Sequence, residues 1–189
     1  MKSDRNEDPL VERARNGDPD AFGELVVRYA ASVSALAYQH VGDWEAARDI
    51  SQTALLKAYR SIRSLRTSQN FRAWLFRIAI NESADFIRLS RTRKETRLEA
   101  GNRAVEDVAT REKRPLERLV AEEERAAVVA ALDELPPRQR TVFVLRHFHG
   151  LSNAEIAETL SSSSNAVKVN LSYALKSLRE KLAGGSDRE

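Results

Sequence analysis

Gly150-Leu-Ser-Asn-Ala-Glu-Ile-Ala-Glu-Thr-Leu160, followed by an amphipathic stretch to Leu182, reads as a helix-turn-helix. Ser152 and Glu155 have capping-box spacing: the hydroxyl accepts from the backbone N–H three residues on, and the carboxylate reaches back. Ile156 and Leu160 then share one helical face. Leu160 to Ser163 form a short polar turn. The second helix places Val167, Leu171, Ala174, Leu175, Leu178 and Leu182 on one stripe, and its outer face carries Asn165, Lys168, Asn170, Ser172 and Tyr173. A capped short helix, a tight turn and a helix with a polar outer face suit entry into a DNA major groove. An ordinary helical hairpin has the same pattern and stands as the alternative.

Working outward, composition removes several classes. No run of about 18 apolar residues exists, so no membrane insertion is expected. Met1 to Asp8 is polar and charged and lacks the apolar core of a secretory signal. The chain has no cysteine, which excludes disulfides, thiolate metal sites and cysteine nucleophiles and fits a cytoplasmic protein. The net charge of +3 says little, but its distribution is uneven. Residues 1–56 carry 6 basic and 10 acidic side chains, residues 57–97 carry 11 and 3, and residues 98–189 carry 14 and 15. The basic stretch is rich in Arg and interleaved with Tyr59, Phe71, Trp74, Phe76 and Phe86. That mixture favours nucleic acid over a merely solvated cationic face.

Strand signals are nearly absent, and helical periodicity runs through most of the chain. The expected fold is all-α: two small helical domains joined by a flexible charged linker, the second a helix-turn-helix. Pro19 and Asp20 open the first convincing helix, with Phe22, Leu25, Val26, Tyr29, Val33, Leu36 and Ala37 at three- and four-residue steps. Gly42 and Asp43 break it. A second helix spans Trp44 to Leu65, with Trp44, Ala47, Ile50, Ala54, Ala58 and Ile62 on one side. After a polar loop at Arg66 to Asn70, a third runs from Phe71 to Arg91, offering Trp74, Leu75, Ile78, Ala79, Phe86 and Ile87 to a core. The first domain is placed at 9–92 behind a disordered 1–8. Residues 93–118 read as linker, or as a solvated helix bridging the halves. A second domain spans 119–183, with a helix through Ala126, Val129, Ala130 and Leu132 and another over Arg138 to Phe148. A disordered tail follows at 184–189.

No catalytic constellation stands out, and no enzymatic activity, cofactor or metal is expected. His147 and His149 are two apart and point to different helical faces. Phosphate-binding Gly-rich loops and nucleophile elbows are missing. The sharper signal lies around residues 66–81. Arg66, Ser68, Gln69 and Asn70 form a polar loop able to hold an unstacked base, worth about 1–3 kcal/mol where a base stacks. The flanking Arg72 and Arg77 suit phosphates. Phe71 and Trp74 are either stacking surfaces or buried staples, with burial favoured for Trp74. Asn81, Asp85 and Arg88 form one polar stripe beside the loop.

Four stretches in this order and spacing resemble a bacterial RNA polymerase sigma factor of the sigma-70 family, extracytoplasmic-function (ECF) type. They are Asp18-Pro-Asp-Ala-Phe-Gly-Glu-Leu, Asp49-Ile-Ser-Gln-Thr-Ala-Leu-Leu-Lys-Ala-Tyr, Phe71-Arg-Ala-Trp-Leu-Phe-Arg-Ile-Ala-Ile-Asn, and Leu135-Pro-Pro-Arg-Gln-Arg-Thr-Val-Phe joined to Gly150-Leu-Ser-Asn-Ala-Glu-Ile-Ala. The resemblance covers Asp18 to about Leu182. It implies that the first domain binds the minus-ten promoter element as melted strand, a flipped base being held by the loop before Phe71 with help from Asn81. It implies that Asp49, Gln52, Leu56 and Tyr59 dock on the clamp helices of core RNA polymerase. The second domain would read the minus-thirty-five duplex through Asn153, Asn165, Lys168, Asn170, Ser172 and Tyr173 and touch the polymerase flap. The linker would thread toward the RNA exit path, and an anti-sigma protein would hold the factor inactive.

The sequence departs from the family pattern in three places. Thr53 stands where Glu is frequent. Asn170 and Tyr173 stand where Arg is usual, so the recognition helix keeps one cation, and either fewer upstream contacts or an altered base preference is expected. Ser161 to Ser164 replace the usual Gly and Pro, which softens the turn but supplies N-cap hydroxyls. The competing reading is a helix-turn-helix repressor or activator that acts on duplex operators without joining polymerase.

Overall fold

The computed structural model describes residues 7–66, 70–99 and 130–183, and among them every regular element is a helix. They fall in two compact units, one N-terminal and one C-terminal.

The N-terminal unit contains α1 (Glu7–Arg15), α2 (Pro19–Val41), α3 (Trp44–Ser61), a 3₁₀ turn (Ile62–Ser64) and α4 (Phe71–Glu99). The boundaries follow from local chemistry. Asp18 caps α2 by accepting from the N–H groups of Asp20 and Ala21, and Pro19 takes a position where no donor is needed. Gly42 ends α2 in the left-handed region at φ 74° and donates to the Tyr38 carbonyl at 2.8 Å. Asp43 caps α3 through the Ala46 N–H at 2.6 Å. Helices α2, α3 and α4 pack on one another, and α1 lies against α2. Phe22, Leu25, Tyr29, Val33, Leu36 and Ala37 of α2 face inward. They meet Ala47, Ile50, Ala54 and Ala58 of α3, whose small side chains let the helices approach. A hydroxyl pair, Ser34 Oγ donating to Ser51 Oγ at 2.9 Å, fixes their register. From α4, Phe71, Ala73, Trp74, Leu75, Phe76 and Ala79 close the core.

The described part of the C-terminal unit starts with the end of a helix at 130–133, followed by α5 (Pro137–His147), α6 (Asn153–Thr159) and α7 (Ser164–Ala183). Ala131, Leu132 and Leu135 pack against Ala174 and Leu178 with Phe143 at the edge. Val142, Val144, Leu145, Leu151, Ile156 and Val167 are also buried.

Several expectations change. Helix α1 was not expected, and it starts at Glu7, inside the stretch 1–8 read as disordered; among its described side chains the core anchors are Leu10 and Ala14, too few for a visible period. Helix α3 stops at Ser61 rather than Leu65. Trp44, expected on the buried side, is 63% exposed and lies against Tyr38 at 4.8 Å. It is the first residue of α3, and the corner beneath it is filled by Ala37, Val41, Ala47 and Ile50. Phe86, midway along α4, is 38% exposed and Leu182, at the end of α7, is 40% exposed; neither joins the core. Helix α4 continues to Glu99, through the first residues read as linker. The rest of that linker, Ala126, Val129 and the two expected disordered ends up to residue 6 and from 184 lie outside the described residues.

Candidate functional site

Three exposed helical faces can meet a macromolecule. The first is on α3. Asp49, Gln52, Leu56 and Tyr59 recur at steps of three and four, so they form one stripe. All four are exposed, Leu56 at 55% and Tyr59 at 51%. The Tyr59 ring is held edge-on by buried Phe22 at 5.0 Å, which fixes it while leaving its outer face open. An exposed leucine and tyrosine on a packed helix, flanked by Asp49 and Gln52, form an apolar centre with a polar rim.

The second face belongs to α4 and the loop before it. Ser68 and Gln69 lie outside the described residues. Arg66 is exposed at the loop's start. Asn70 caps α4, its Oδ1 accepting from the Ala73 N–H at 3.1 Å, so its side chain has a structural task. Phe71 and Trp74 are not at the surface: they are 4% and 8% exposed. Phe71 sits 5.5 Å from the Tyr29 ring and 5.9 Å from Trp74. Neither ring is placed to stack on a base, because the first turns of α4 are buried on most of their circumference. Arg72 lies over the Phe76 ring at 5.5 Å. Arg77 is half-buried, whereas Asn81, Asp85 and Arg88 are exposed along one stripe, the last two paired at 3.1 Å. Beside them Glu82 pairs with Lys57 of α3 at 2.5 Å, tying the two helices under this surface.

The third face is the helix-turn-helix. The capping box is formed: Ser152 N–H donates to Glu155 Oε2 at 2.7 Å, and Glu155 N–H donates to Ser152 Oγ at 3.2 Å. The serine turn carries a conformational cost. Ser161 has φ 48°, and the Ser162 N–H donates back to the Ala157 carbonyl at 2.8 Å, closing a Schellman turn. Ser163 then caps α7 through the Ala166 N–H at 3.1 Å, the hydroxyl cap expected from the sequence. Asn165, Lys168, Ser172 and Tyr173 are exposed on α7, Tyr173 at 59%. Asn170 is half-buried and its Nδ2 donates to the Ala166 carbonyl at 2.8 Å. Asn153 is half-buried, with Oδ1 enclosed and without a hydrogen-bond partner. Val169 escaped the sequence reading. It is 43% exposed, and its signal was available: a valine outside the apolar stripe.

Comparison with known proteins gives the family of the chain. Residues 25–93 match the family described as Sigma-70 region 2, and residues 125–178 that described as Sigma-70, region 4. RNA polymerase sigma-H factor of Pseudomonas aeruginosa is 30% identical over 191 residues, covering 96% of each chain. The chain belongs to the sigma-70 family, in its ECF group. ECF RNA polymerase sigma-E factor of Escherichia coli is likewise 30% identical, over 96% of this chain and 97% of its own. Among solved structures, CnrH in complex with the cytosolic domain of CnrY matches 94% of this chain and 97% of its own at 26% identity and a TM-score of 0.71. This ECF sigma factor is therefore a transcription initiation factor, with region 2 in the N-terminal unit and region 4 in the C-terminal one. Among the described residues no helix is long and apolar enough to cross a membrane, and no group of His, Cys, Asp and Glu forms a metal site.

Proposed function

We propose that this sigma factor binds core RNA polymerase through the α3 face, opens the minus-ten element on the α4 face, and reads an upstream duplex with α7. The observation that carries the division of labour is chemical. The α3 stripe ends in Leu56 and Tyr59, suited to a protein partner, while the α4 stripe presents Asn81, Asp85 and Arg88, suited to a nucleic acid. Arg66, Ser68, Gln69, Asn70, Arg72 and Arg77 would frame the displaced strand, with Phe71 and Trp74 supporting from below. Asn153, Asn165, Lys168, Asn170, Ser172 and Tyr173 would surround the upstream duplex, and region 4 would touch the polymerase flap. Residues 93–118 would connect the two regions.

The factor acts in the cytoplasm with polymerase and has no enzymatic activity or cofactor of its own. An anti-sigma protein restrains it, a reading supported by CnrH, which is bound to the cytosolic domain of CnrY.

Two variants separate the faces. Leu56→Ala removes apolar surface that a partner would bury, about 1 kcal/mol and roughly fivefold in core affinity. Asn81→Ala leaves core affinity unchanged and lowers the yield of open complex. Unaltered core binding by Leu56→Ala, or wild-type open complexes from Asn81→Ala, would remove the corresponding assignment.

A further inference from the structure

The surface that α7 offers to DNA is not centred on its polar residues. At about 100° per residue, Val169 lies about 170° round the helix from the middle of the inward stripe formed by buried Val167, Ala174 and Leu178 and half-buried Leu171. Asn170, the residue suited to adenine, lies only about 70° from that middle, and its amide is turned back onto the Ala166 carbonyl. Val169 is 43% exposed, with Asn165 one turn before it and Tyr173, 59% exposed, one turn after. In the first half of α7 the middle of the exposed face is thus apolar; two turns further on, exposed Lys176 takes the same direction.

A valine there cannot donate or accept a hydrogen bond. Set against the major-groove edge of guanine, adenine or cytosine, it would strip water from a donor or acceptor and give nothing back. Thymine alone presents an apolar group in that groove, its 5-methyl. Valine is also stiff at χ1 in a helix, so its two methyls are offered in one orientation with little entropy to lose.

We infer that Val169 is a specificity-determining residue of this sigma factor, selecting thymine in the upstream promoter element by contact with the 5-methyl group. This rests on the reading of α7 as the duplex-reading helix.

The test uses holoenzyme assembled from core polymerase and the full chain, and a promoter library randomised upstream of the minus-ten element. Each thymine of the enriched upstream element is then replaced in turn by deoxyuridine, which deletes the methyl and keeps base pairing. One thymine should be required, its replacement weakening binding about fourfold, the effect of one buried methyl group. Val169→Ser should abolish that difference while leaving core affinity and the helical circular dichroism unchanged, since the side chain lies outside the core. An enriched element in which no deoxyuridine matters, or a methyl dependence that survives Val169→Ser, overturns the inference and leaves upstream reading intact. A library with no upstream enrichment overturns both.

Discussion

Phe71→Leu distinguishes a core ring from a base-stacking ring. Phe71 is 4% exposed and packed between Tyr29 and Trp74, with ring centroids at 5.5 and 5.9 Å. Truncation to alanine would cost about 3–5 kcal/mol, a large part of a small domain's stability. Leucine keeps the site apolar and loses the aromatic pairing and some volume, about 1–2 kcal/mol. For a unit of this size each kcal/mol lowers Tm by about 4–8 °C, so the region 2 transition should fall by about 5–15 °C. Thermal unfolding of the full chain, followed by circular dichroism, measures this. Open-complex formation assayed well below the new transition should be close to wild type, because the ring holds the start of α4 rather than a base. A variant that melts with the parent and loses open complexes at every temperature would make Phe71 a base-contacting ring instead.

Other outcomes follow from the same geometry. Ser161→Gly should stabilise region 4 by about 1 kcal/mol, because a non-glycine residue at positive φ carries a steric cost; an unchanged melting temperature would count against strain there. Asp18 is held below the ordinary aspartate range by the Ala21 N–H and then by the Arg13 guanidinium at 2.7–2.9 Å. Its depressed value means that the contribution is complete above the ordinary aspartate pKa and is lost as pH falls through the lower folded value. Asp18→Asn keeps a cap but should remove that part of the acid-side decline in unfolding free energy, and an unaltered acid limb would exclude it. Asp43→Ala should cost about 1 kcal/mol by removing the α3 cap, read as an earlier melt of region 2.

What the sequence revealed follows from where its chemistry is local. The capping box at Ser152 and Glu155, the Ser163 cap, and the stops at Gly42 and Pro136-Pro137 depend on neighbours within a few residues, and they form as read. The inward stripe of α2 was legible because seven residues repeat the period over about four turns. Trp44 was misplaced because periodicity fixes a direction around a helix, not whether a neighbouring element covers that direction at its first turn. Phe71 has the same ambiguity in reverse: an aromatic beside arginines suits nucleic acid, and only Tyr29, 42 residues upstream, decides that it is core. Helix α1 stayed hidden because two anchors make no period. On α7, polar residue types drew attention to Asn170, whereas side-chain geometry ties that amide to its own helix and leaves Val169 at the centre of the exposed face.

As a sigma factor, this chain acts as a polymerase subunit rather than as a free operator binder. Transcription in vitro from genomic fragments, with core polymerase and the full chain added separately and together, tests it most directly. Promoter-dependent transcripts should require both, and the chain alone should bind the same duplexes more weakly than nanomolar, since its cationic stretch is confined to residues 57–97 and the remainder of the chain is close to neutral or acidic. Nanomolar duplex binding by the chain alone, with no new transcript on adding polymerase, would contradict the account.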